Sequence, residues 1–127
     1  MSKMYELVQN VKKIEQKELI EALKLHGDKV DDGFEIHFEH DNPIIACYGS
    51  EDPYDAVIMA VRVDKNNIIT ILAEDKNYRG ESHDLYVDDI FAGQLSYVTD
   101  EIIANYNKLY DLKNTEEKIL PNNSIKY

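Results

Sequence analysis

The stretch AVIMAVRVDKNNIITILAE, residues 56–74, decides the fold of this chain. Two apolar runs rich in Val and Ile flank the polar residues 64–67, and this composition predicts a β-hairpin. Both runs are apolar on both faces, which is typical of central strands that are covered twice. We expect one cover to be a helical layer. The other should be the C-terminal segment or a second copy, which would form a homodimer through this second apolar sheet face.

Strict alternation along the first run divides its side chains between two faces of the sheet. It places Val57, Met59 and Val61 on one face. It places Ile58 and Ala60 on the other.

A first hairpin is predicted upstream of this one. Apolar and polar side chains alternate over residues 34–39, residues 40–43 have turn composition, and an apolar run follows at 44–49. If those four turn residues form the loop, Phe38 faces Ile45 across the strand pair.

Helices are predicted towards both ends of the chain. Apolar residues recur every three or four positions over 4–23, and this amphipathic helix should end near His26-Gly27. Residues 75–84 are polar and are expected to form a loop, followed by a short strand. A second helical stripe runs over 91–109, with Asp88 as the expected N-cap.

Length and composition fit one α+β domain over residues 1–127, with a mainly antiparallel sheet of four or five strands and an ordered tail. The sequence is 43% hydrophobic and 31% charged, which is an ordinary globular mixture. Its longest apolar run is far shorter than a membrane span, and its one cysteine, Cys47, excludes an internal disulfide. We expect a cytoplasmic protein, acidic as many bacterial ones are, with no cofactor and no membrane association.

The negative charge is concentrated in the centre of the chain. Residues 27–111 hold nineteen Asp and Glu against six Lys and Arg, which is −13, whereas residues 1–26 are about +1. Such a field repels nucleic acids and anionic lipids, so binding of nucleic acid through a basic patch is not expected. A basic protein partner fits this charge, although the acidity also serves solubility alone.

The resulting prediction is a non-enzymatic protein-binding module, such as an inhibitor, an immunity protein or a DNA mimic, that recognises a basic partner by electrostatic steering. Its expected contact residues lie near turns and next to aromatic side chains. They are Glu51, Asp52, Tyr54, Asp55, Asp88 and Asp89.

Two enzymatic alternatives involve a metal ion. His37, Glu39 and His40 form a dense cluster of ligand types, and the first two would project from one strand face. Separately, Asp64 with Glu74 and Lys76 resembles the catalytic spacing of the PD-(D/E)xK nucleases. That resemblance implies that the carboxylates bind magnesium and position a water for hydrolysis.

Overall fold

The computed structural model of the protein describes residues 3–48 and 53–119. It is the predicted α+β arrangement, with a helix towards each end and an antiparallel sheet between them. In chain order the described elements are α1 (Lys3–His26), β1 (Asp28–Val30), β2 (Gly33–His37), β3 (Ile44–Cys47), β4 (Tyr54–Asp64), β5 (Ile69–Asp75), β6 (Tyr78–Tyr86), a short 3-10 helix (Val87–Asp89) and α2 (Gln94–Ile119).

The long strand β4 organises the sheet, whose strand order is β1-β2-β4-β5-β6. Along one side β4 pairs with β5, which confirms the hairpin predicted from residues 56–74. Along the other side it pairs first with β3 and then with β2. The predicted pairing of Phe38 with Ile45 is therefore wrong. Because β4 is 11 residues long, it has room for both short strands in tandem, and neither needs the other as a partner.

A β-bulge at Met59 changes which side chains of β4 face the core. Ile58 pairs with Ala73 and Ala60 pairs with Leu72, so Met59 is an extra residue opposite the β5 ladder. The extra residue reverses the alternation, and Ile58 and Val61 both lie in the core. The predicted division of faces is wrong from this point onward, since strict alternation had separated these two residues.

The segment predicted as a polar loop over residues 75–84 is mostly the edge strand β6, which pairs antiparallel with β5. The side chains of Tyr78 and of residues 81–84 are exposed, and Leu85 is buried. Because β6 lies at the edge of the sheet and most of its side chains contact solvent, it contains few apolar residues. Its composition therefore resembles that of a loop.

Both helices pack on the same face of the sheet and run in the same direction. Glu15 of α1 lies beside Ser96 of α2, and the ring of His26 stacks on that of Tyr106 with 4.5 Å between centroids. Neither helix in the described ranges is long and apolar enough to cross a membrane. The fully buried helical residues, which contact the sheet, are Leu19, Leu23, Leu95, Val98 and Ile102.

The start of α2 differs from the prediction that Asp88 is its N-cap. The helix begins at Gln94, and the preceding residue Gly93 donates its backbone N–H to the Glu15 carboxylate of α1, 3.1 Å away. Asp88 lies in the 3-10 helix instead. This bond gives the Gly93 N–H, a donor at the start of the helix, an acceptor on α1. Without it, a neighbouring side chain would have to accept that N–H as a helix cap.

Candidate functional site

The candidate site is the face of the sheet opposite the two helices, which we call the open face. Across its middle the strand register aligns Glu35, Arg62, Thr70 and Tyr86 on four consecutive strands. Side chains along a strand alternate between the two faces of a sheet. The residues next to each core-facing residue therefore point to the open face. The bulge at Met59 therefore gives Arg62 to the open face.

The open face is concave, and its charged residues are mostly acidic. Its concavity encloses about 360 Å³, with Ala60 and Leu72 among the lining residues. Among the described residues, four carboxylates and one guanidinium line this concavity, so the formal charge of this lining is 1 − 4 = −3. These charged residues are Asp32, Glu35, Asp64, Asp84 and Arg62.

Most of these charges already have partners within the fold. Arg62 donates to the carboxylate of Asp32, and this hydrogen bond and charge raise the pKa of Arg62. Glu35 Oε2 lies 2.8 Å from Nε2 of His37 on the same strand. The Asp64 carboxylate accepts two backbone N–H bonds in the β4–β5 turn. The guanidinium is thus largely neutralised, and the net charge of the face remains negative.

Asp84 differs from the other carboxylates of the open face. It is exposed, and in the described part of the chain no hydrogen bond or ion pair engages it. Tyr86 lies two residues further along β6, on the same face, and is 55% exposed. Leu72 lies directly opposite Asp84 on β5. A free carboxylate next to an exposed ring and an aliphatic floor suits a Lys or Arg side chain, through charge and cation–π attraction.

The predicted contact residues are divided between several places. Asp55 is next to the core residue Ala56, so its side chain points away from the core. It is exposed on the same side of β4 as Arg62. Asp88 is exposed just beyond Tyr86. Glu51 and Asp52 lie outside the described residues.

The other two predicted contact residues serve the fold itself. The Asp89 carboxylate accepts the backbone N–H of Tyr86, 3.1 Å away, and its backbone carbonyl accepts that of Tyr48. Tyr54 is half-buried against the core, where burial and a hydrogen bond with Cys47 raise its pKa to about 12. Tyr54 therefore contributes to the packing of the fold.

The residues of the two metal alternatives are not brought together. Val57 is the partner of Glu74, and Asp64 is seven positions further along β4, which is about 23 Å of strand. The cluster of His37, Glu39 and His40 is exposed, and His37 is engaged by Glu35. Within residues 3–48 and 53–119 no three His, Cys, Asp or Glu side chains are placed to hold a metal ion.

Sequence reasoning did not predict that Asp32, Arg62 and Asp84 lie together on one face. Arg62 and Asp32 are 30 positions apart, and nothing local links them. A signal was available in β6, where Ser82, Asp84 and Tyr86 alternate with His83 and the buried Leu85. That alternation marks a strand with one polar face.

Comparisons with known proteins add no assignment to this geometry. No family model, curated protein sequence or solved structure matches the chain.

Proposed function

We propose that this chain is a protein-binding module whose open face takes a Lys- or Arg-bearing segment of a basic protein. An inhibitor, an immunity protein or a DNA mimic would act in this way, by covering a positively charged surface. A cytoplasmic location is part of the proposal, and it is supported by the lone, buried Cys47, a thiol that needs no oxidising compartment.

One observation carries this proposal, namely the unpaired Asp84 carboxylate beside the exposed ring of Tyr86 on an acidic, concave face. An incoming ammonium or guanidinium would find a carboxylate that no residue of the ranges 3–48 and 53–119 engages. It would also keep its aliphatic stem against Leu72. The carboxylates with internal partners contribute to the field, whereas Asp84 supplies a direct contact.

The mechanism is electrostatic steering followed by local pairing. The −3 of the residues that line the concavity lies within the −13 of residues 27–111, so a basic partner is attracted before contact. At physiological ionic strength, salt largely screens the attraction between exposed charges that are more than about 8 Å apart. Association should therefore slow sharply as salt rises, while dissociation changes less.

The test uses a defined probe, a synthetic peptide of about 15 residues rich in Lys and Arg, with an acidic peptide of equal length as comparison. We expect saturable binding of the basic peptide, weakened several-fold by Asp84→Asn and by Tyr86→Ala. The matched control is Asp100→Asn, which removes the same charge from an exposed position on α2.

Two results would refute the proposal. One is equal binding of the basic peptide by the Asp84→Asn and Asp100→Asn variants, which would show that only total charge matters. The other is an affinity that does not change between low and physiological salt.

A further inference from the structure

A row of large apolar side chains is exposed along the first half of α1. Met4 is 68% exposed, Leu7 is 59% exposed and Ile14 is 60% exposed. The amphipathic pattern of the sequence predicts that these side chains face the core, as Leu19 and Leu23 do. In the structure they lie on one side of that buried stripe. Exposed apolar rows of this kind are typical of interaction surfaces.

The spacing of this row is that of a short coiled-coil seam. Together with the half-buried Val11, the residues lie at positions 4, 7, 11 and 14, which are separated by three, four and three residues. This is the a/d spacing by which two helices pack side by side. Glu18 interrupts the row at its next position, so the seam comprises Met4, Leu7, Val11 and Ile14.

The position of α2 explains why the fold leaves this seam uncovered. The start of α2 lies beside Glu15, since Gly93 and Ser96 both bond to that carboxylate. Because the two helices run in the same direction, residues of α1 before Glu15 extend past the start of α2. That part of α1 therefore lacks its neighbouring helix.

The charge distribution favours a second copy of the chain as the partner of this seam. Residues 1–26 contain five Lys against four Glu, which is +1, whereas residues 27–111 are −13. A basic protein gains nothing from the charge of this helix. Two copies of the chain repel each other through their acidic centres, and this repulsion is weaker where they meet through the near-neutral residues 1–26.

We infer that two copies of this chain associate through their α1 seams to form a homodimer. The contact lies on α1, away from the open face, and leaves Asp84 and Tyr86 accessible in both copies. This places self-association on a helix, in contrast to the expected contact through the second sheet face, which the structure shows to be acidic. The inference stands independently of the proposed binding function.

The experiment measures mass in solution by light scattering and sedimentation, from about 1 µM to about 500 µM protein, a range that covers weak dimers. The test variant carries Leu7→Gln and Ile14→Gln, which change no charge and keep good helix formers. Leu25→Gln is the matched control, because Leu25 is 77% exposed on α1 but lies beyond the Glu18 interruption.

We expect the wild type and Leu25→Gln to become dimeric at the upper concentrations and the double variant to stay monomeric with an unchanged melting temperature. About 0.5 M NaCl should leave dimerisation intact or strengthen it, whereas it should weaken binding of a basic peptide. A wild type that is monomeric throughout, or a double variant that dimerises like the wild type, would overturn the inference.

Discussion

The guanidinium of Arg62 on β4 donates a hydrogen bond to the carboxylate of Asp32 in the turn between β1 and β2. This pair joins β4 to the turn between β1 and β2 on the open face. It also cancels the positive charge of Arg62, which among the described residues is the one cation that lines the concavity, so the face remains acidic although an arginine lies in its middle.

Arg62→Gln should therefore strengthen binding of a basic peptide, since the charge of the lining falls from −3 to −4. We expect the dissociation constant to fall about three- to tenfold at low salt and less at physiological salt. The measurement is a calorimetric or fluorescence titration. Lys17→Gln, the same change at an exposed position of α1, should have little effect. Equal gains in both variants would mean that the face has no special role.

The Asn42 amide holds the bulged part of β4 in place. Its Nδ2 donates to the carbonyl of Phe38 at 3.2 Å and to that of Ile58 at 2.8 Å. Asn42→Ala should lower the free energy of unfolding by about 1–3 kcal/mol, because both carbonyls lose a donor in a partly buried site. Urea unfolding measures this, with the exposed Asn66→Ala expected within about 0.5 kcal/mol of the wild type. A change in Asn42→Ala as small as that of Asn66→Ala would refute this role.

The buried Glu15 carboxylate joins α1 to the start of α2 through Gly93 and Ser96. Glu15→Ala leaves both donors without this acceptor and should cost about 3 kcal/mol. Glu15→Gln keeps one carbonyl oxygen and should cost less. The measurement is again urea unfolding, and Glu18→Ala at an exposed position of the same helix is the control. The account fails if Glu15→Ala and Glu18→Ala are equally stable.

Tyr54 should make stability fall at high pH. Burial, followed by the hydrogen bond with Cys47, raises its pKa to about 12 in the folded chain, whereas an unfolded tyrosine ionises near pH 10. Between these values the unfolded state binds fewer protons than the folded state, so the free energy of unfolding decreases as pH rises. In Tyr54→Phe this decrease between pH 10 and 12 should be smaller.

The control for that experiment is Tyr78→Phe, because Tyr78 is 65% exposed. Its pH dependence should match that of the wild type. A decrease in Tyr54→Phe that is as steep as in the wild type would show that the Tyr54 hydroxyl does not titrate differently in the two states.

The periodicity of apolar residues predicted the helices and strands of this fold better than it predicted which strands pair. The central hairpin and both helices follow from local apolar spacing, and the α+β class follows from them. The bulge at Met59 does not follow from local spacing, because an extra residue is defined only by its pairing with the neighbouring strand β5. The tandem pairing of β2 and β3 with β4 was missed for the same reason, since turn composition at residues 40–43 says nothing about which strand each run will join.

The candidate site was predicted less well than the fold. Acidity in the centre of the chain is plain from the sequence, and Asp55, one of the predicted contact residues, is exposed on the open face. Asp89 and Tyr54 were chosen for their proximity to turns and acids, but the fold uses both internally. Asp84 was overlooked because β6, as an edge strand, has the composition of a loop.

The most direct test of the central claim is an NMR titration of the ¹⁵N-labelled protein with the basic peptide. The account predicts that the amides of Arg62, Leu72, Asp84 and Tyr86 shift most, and that those of the α2 core residues Leu95 to Ile102 shift least. The shifts should diminish at high salt. Shifts centred on the helices, with the β6 amides unmoved, would contradict the assignment of the open face as the binding surface.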